Sequence, residues 1–255
     1  MIAALGGSNV PGQRASSDGK MNIRRWRSKV ALTVVIAAAA AGLGAAPASA
    51  AQPPPGYPTS QVMATASNPT LGSIQIRRGF YDNAIDQGWG MDKAWNKHNI
   101  WSVEAMRRVM LSTNITPQGL QYLLKAYAGK YQCSGSTCTL TDQREVRGIY
   151  DTQSYTNYYG WPVGGKMGQL TMYCYQGGEL LCPNWVTYSI TNPGVNNPYR
   201  SSSPSADTNL SAEESSEQAE ILSSDEIVTL DQAIAAGDEQ VAFSYEPLPE
   251  VIDAP

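Results

Sequence analysis

The chain has 255 residues, with 14 Tyr and 6 Trp against only 2 Phe, and a net charge of -4 at pH 7. That length suits one domain of roughly 100–200 residues with additions at its ends. The charge is uneven: residues 51–200 carry 12 Lys+Arg against 8 Asp+Glu, whereas residues 201–255 carry no Lys or Arg and 13 acids. So modest a basic excess, spread as pairs such as Arg77-Arg78 and Arg107-Arg108 without a module signature, argues against a nucleic-acid partner.

Residues 1–20 read as a dispensable leader, with Met21 the expected start. From Met21 the chain shows the three parts of a secretory signal: Arg24, Arg25, Arg27 and Lys29, then an apolar run from Val30, then the small-residue site Ala48-Ser49-Ala50. Arg24-Arg25 also fits a twin-arginine signal. The apolar run is short and Ala-rich, whereas a permanent anchor needs about 20 strongly apolar residues. Cleavage near Ala50 and a secreted, extracellular or envelope-associated protein are therefore expected.

Residues 51–73 form a Pro-rich extended segment, and regular structure is expected from Ile74. Asp92 is placed to cap a short helix through Trp95. Ser102 caps a second helix over Val103–Leu111, with Glu104 in its first turn and Trp101 packing on Met106 as a hydrophobic staple. Beyond Thr116 the pattern moves toward period two. Glu145–Tyr150, Gln169–Cys174 and Trp185–Ile190 each alternate apolar or aromatic with polar residues, as half-buried strands do. Leu120–Tyr131 fits a helix started by Thr116-Pro117, or a strand in its second half, and the strand is preferred because it partners Thr139–Tyr150.

The four cysteines suggest two disulfides. A turn in Cys133-Ser-Gly-Ser-Thr-Cys138 brings the first pair together. A loop of Gly177, Gly178 and Glu179 sets Cys174 opposite Cys182 on a second hairpin. The spacings are too long for a four-thiolate zinc site, so no metal or other cofactor is expected. The predicted fold is α+β: short N-terminal helices packed on an antiparallel sheet of disulfide-clamped hairpins, with disordered flanks. One globular domain spans residues 74–198, and an acidic, mostly disordered tail spans 199–255. Within the tail, Ser224 and Gly237 bracket one amphipathic helix, which is expected either to fold back on the basic core or to remain a solvated spacer.

Chemistry is sparse. His98 is the single histidine, and no Gly-x-Ser-x-Gly turn is present. A small hydrolase pairing His98 with Asp82 or Glu104 is one reading. Aromatic residues are the richer signal, above all Tyr155, Tyr158, Tyr159 and Trp161 in a segment marked as a surface loop by Gly160, Pro162, Gly164 and Gly165. Outside the cell, such rings commonly hold sugars or partner proteins. The preferred reading is a non-enzymatic module binding a polysaccharide or protein ligand through that loop. A secreted inhibitor or effector is the third.

Overall fold

A computed structural model describes residues 52–178, 181–192 and 223–254. The export segment and residues 193–222 lie outside the described residues. Four helices and three antiparallel sheets make up the described part. The first elements are two hairpins, β1 (Val62–Asn68) with β2 (Gly72–Arg77), and β3 (Phe80–Asp82) with β4 (Gln87–Trp89). Strand β1 thus lies inside the stretch 51–73 that composition assigns to an extended spacer. Its Met63 and Ala66 belong to the main core with Ile74 and Ile76 of β2. Polar residues between these positions gave β1 little hydropathy signal.

Next come α1 (Gly90–His98) and α2 (Val103–Met110). Asp92 is not the cap of α1; it lies in the first turn after an N-cap at Trp89, and the helix runs past Trp95 to a left-handed Asn99. In α2 the expected cap holds, the Ser102 side chain accepting from the Ala105 N–H. The apolar face Met106, Val109 and Met110 is buried in the same cluster as Leu124, Val146 and Met172 of the large sheet.

That sheet has six strands: β5 (Ile115–Gln118), β6 (Gln121–Ser134), β7 (Thr137–Tyr158), β8 (Trp161–Tyr175), β9 (Glu239–Ser244) and β10 (Val251–Asp253). Strands β6 and β7 run the length of the sheet, from Gln121↔Asp151 to Ser134↔Thr137. The segment Leu120–Tyr131 is therefore strand from Gln121 onward. The helix-start reading fails because Pro117 sits in the short strand β5, where a missing N–H is tolerated at an edge. Gly148 of β7 lies beneath α2: a Cβ there would stand 2.6 Å from Met110 Cε.

After the sheet comes α3 (Asn184–Thr191), which replaces the expected strand Trp185–Ile190. Trp185, Val186, Thr187, Ser189 and Ile190 are buried, so burial does not alternate as in a strand with one exposed face. Of the hydroxyls in this segment, that of Ser189 donates to Trp185 O at 2.9 Å within the helix, and that of Thr187 donates to Asn99 O at 3.4 Å beyond it. Helices accordingly lie on both sides of the sheet in sequence, and two hairpins precede them all.

The end of the acidic tail is part of the fold. Helix α4 (Asp225–Ala236) buries Ile227 and Leu230, and it ends at Gly237 in the left-handed conformation, as its sequence brackets predict. Strand β9 then pairs β6 from Gln132↔Glu239 to Tyr127↔Ser244, with Val241 and Phe243 in the main core. Strand β10 pairs β7 at Thr137–Thr139. For residues 223–254, disorder is therefore overturned: low overall hydropathy concealed a few apolar residues at strand spacing.

Both cysteine pairs are bonded as expected, and no cysteine is free. Cys133 and Cys138 are cross-strand partners at the end of the β6–β7 hairpin. Cys174–Cys182 does not clamp a hairpin. Cys182 precedes α3 and donates its N–H to the His98 carbonyl, so the bridge ties the end of β8 to the entry of a helix. Loops of this length are each worth about 2–2.5 kcal/mol in the chain-entropy account. Disulfides fit an extracellular location, and among the described residues no helix is long and apolar enough to cross a membrane.

Candidate functional site

Strands β7 and β8 meet in a two-residue turn, Tyr159-Gly160, flanked by the pair Tyr158↔Trp161. Both turn residues have positive φ, 54° at Tyr159 and 83° at Gly160. Two-residue hairpins need this because their twist must match that of the strands, and Asn-Gly is the usual solution. A tyrosine in the first position costs roughly 1–2 kcal/mol of left-handed backbone strain. Tyr159 is also 45% exposed, so burial of its ring offsets that cost only in part.

The ring is nonetheless ordered by neighbours. Tyr159 meets Tyr158 edge to face at 4.6 Å, and Tyr158 meets Tyr155 at 5.1 Å. Trp161 lies 6.1 Å from Tyr159 and 4.9 Å from Phe80, which in turn contacts Tyr57 at 5.7 Å. Six rings thus form one continuous array, with edge-to-face geometry that suits the aromatic quadrupole. Its inner end is dry, Trp161 being buried with Trp89, Val163 and Met167. Of the four aromatic residues singled out from sequence, Trp161 is therefore a foundation. Tyr155 and Tyr158 are half-buried, and Tyr159 is the exposed edge.

Polar groups fix this edge from the other side. The Tyr155 hydroxyl donates to Asp151 Oδ2 at 3.2 Å, Gln121 Nε2 donates to the same oxygen at 3.1 Å, and the Gln153 N–H donates to Asp151 Oδ1 at 2.8 Å. Burial first, and then the Asp151 carboxylate, raises the Tyr155 phenol above its usual range. Burial and the neighbouring Tyr159 push Tyr158 up to about 12. Both hydroxyls stay protonated at neutral pH, and that of Tyr155 acts as a donor. Thr59 anchors the hairpin by donating to Pro162 O at 2.7 Å, and Arg77 Nε donates to Lys166 O at 2.9 Å. These anchors are distant in sequence, and no local pattern points to them.

The residues of the hydrolase reading sit on three elements with different partners. Asp82 ends β3 and its Oδ1 accepts from the Ala84 N–H, closing a turn. Glu104 on α2 receives Arg107 Nε and Nη2 at 2.6 Å and Arg108 Nε at 2.7 Å. Burial pushes the Glu104 carboxyl up, but the hydrogen bonds and charges of the two arginines outweigh it and hold the group below its ordinary value. His98 closes α1, is only 3% exposed, and its ring lies 5.5 Å from that of Tyr173. No group of three or more His, Cys, Asp or Glu among the described residues is arranged to hold a metal. No family model, curated protein or solved structure matches this chain.

Proposed function

We propose that the protein is an exported, non-enzymatic module that holds a polysaccharide chain along the edge formed by Tyr155, Tyr158 and Tyr159. One observation carries the reading: an exposed tyrosine occupies a turn position that disfavours it, and its ring is aligned by two further tyrosines on a buried tryptophan base. Backbone strain of this kind concentrates at binding sites. Tyrosine suits sugars because its face packs on the C–H side of a pyranose while its hydroxyl bonds the rim. The two disulfides are in keeping with export.

The test is Tyr159→Asn. Asparagine is favoured at this turn position, so stability holds or rises while the ring is lost. Binding to insoluble and arrayed glycans is expected to fall about tenfold, the equivalent of roughly 1.4 kcal/mol. Glycan binding by the parent chain that Tyr159→Asn leaves untouched, or no glycan binding at all, refutes the assignment. Trp161→Ala is not diagnostic, because it removes a buried ring.

A further inference from the structure

Residues 152–165, the tip of the β7–β8 hairpin, hold no Asp, Glu, Lys, Arg or His. Three charged residues border this tip, and each is turned away or engaged. Lys166 pairs Ser154, the step next to Tyr155↔Gly165. Successive side chains of a strand point to opposite faces, so the ammonium lies on the face away from Tyr155. Arg77 is 7% exposed and donates from Nε to Lys166 O, from Nη1 to Ser60 O and from Nη2 to Gln75 Oε1. Asp151 is 2% exposed, and its carboxylate accepts from the Tyr155 hydroxyl, Gln121 Nε2 and the Gln153 N–H. The Tyr155 hydroxyl has one hydrogen, and Asp151 takes it. Toward solvent this hydroxyl therefore offers only oxygen lone pairs, with a negative charge directly behind them.

We propose that the tyrosine edge selects an uncharged polysaccharide and rejects polyanions, with Asp151 as the positioning residue that sets the choice; this rests on the reading of the edge as a polysaccharide site. A sugar hydroxyl donates to the Tyr155 oxygen while the C–H face of its ring packs on the neighbouring tyrosines. A uronate or sulfate group has acceptors only at neutral pH. It has nothing to give the Tyr155 oxygen, the tip supplies it no cation, and it faces the Asp151 charge. Asp151 acts through Tyr155 and not by touching the ligand, and Gln121 of β6 and the Gln153 N–H hold its carboxylate in place.

Binding of the full chain to cellulose, chitin, mannan and xylan, each in native, hydroxyethylated and carboxymethylated form, tests this. The hydroxyethyl form controls for the bulk of the substituent. At low salt the carboxymethylated form of a bound glycan is expected to bind about fivefold more weakly than the hydroxyethylated form, and high salt is expected to close that gap. Asp151→Asn frees the Tyr155 hydrogen and removes the charge, so it is expected to weaken the neutral glycan about fivefold and to abolish the discrimination. Tyr155→Phe keeps the charge; it is expected to weaken the neutral glycan by a similar factor and to leave the discrimination in place. A purely structural role for Asp151 would lower binding of both forms equally. Carboxymethylated glycan bound as tightly as its hydroxyethylated form at low salt overturns the selectivity and leaves the tyrosine edge a polysaccharide site. Discrimination that survives in Asp151→Asn overturns the role of that residue. Binding of no glycan in any form overturns the site and the selectivity together.

Discussion

Gly168 gives the sharpest test of how the β8 strand is seated. Its φ is +80°, and a Cβ at this position would lie 2.0 Å from Gln75 O and 2.9 Å from the Gln75 carbonyl carbon, both backbone atoms of β2. Gly168→Ala therefore has two costs. The left-handed conformation costs a non-glycine residue roughly 1–2 kcal/mol. The backbone contact cannot be relieved by rotating a side chain, so β8 and β2 must part, an overpacking cost of about 1–3 kcal/mol. The sum, about 2–5 kcal/mol, is a large share of the roughly 5–15 kcal/mol that holds a domain folded. Gly72→Ala is the matched control, since Gly72 has φ +74° with nothing within 4 Å of its Cβ, and only the conformational cost applies. Urea unfolding of the oxidised chain gives both values. Equal destabilisation by the two substitutions would refute the close approach of β8 to β2.

Two further outcomes follow from the packing. Phe243→Ala, in a segment whose composition resembles a disordered tail, is expected to destabilise the whole domain by about 3–5 kcal/mol in the same assay, because the ring is 3% exposed in the main core. A null effect would detach β9 from the sheet. Tyr57 donates to Asp92 and accepts from Arg78 Nε at 2.9 Å; burial, followed by the Asp92 charge, raises its phenol above the ordinary value near 10. Its folded-state pKa is raised, so its stabilisation is complete below the unfolded value and is lost as pH climbs above about 10. Tyr57→Phe is expected to cost about 1–3 kcal/mol at neutral pH and to flatten that alkaline decline. An unchanged slope of stability between pH 9 and 11 would contradict the linkage.

Where local chemistry was strong, sequence and structure agree. Ser102 caps its helix, Gly237 ends α4, and Cys133 and Cys138 close their hairpin, because each depends on neighbours a few residues away; Cys174 and Cys182 are paired as expected but without the hairpin that suggested it. Strands Glu145–Tyr150 and Gln169–Cys174 stood out because one face of each meets a core. The failures share a cause. Trp185–Ile190 alternates apolar and polar residues and has β-branched side chains that suit a strand in isolation, yet it folds as a helix with five of its six residues buried. Strand β9 holds two buried apolar residues of the main core, Val241 and Phe243, within an acidic tail, too few for periodicity to register.

The site divides in the same way. Sequence alone identified the aromatic segment 155–161 but read it, with Pro162, Gly164 and Gly165, as a surface loop; only Tyr159-Gly160 form a turn, and the rest belongs to β7 and β8, because strand pairing is set by partners distant in sequence. Tertiary structure decided which ring faces solvent. Trp161 and Tyr159 are two residues apart, and only packing on Phe80 and Trp89 distinguishes the buried base from the exposed edge. Sequence carries local conformation because backbone and neighbouring side chains set it. Which faces come together is a property of the whole packed chain.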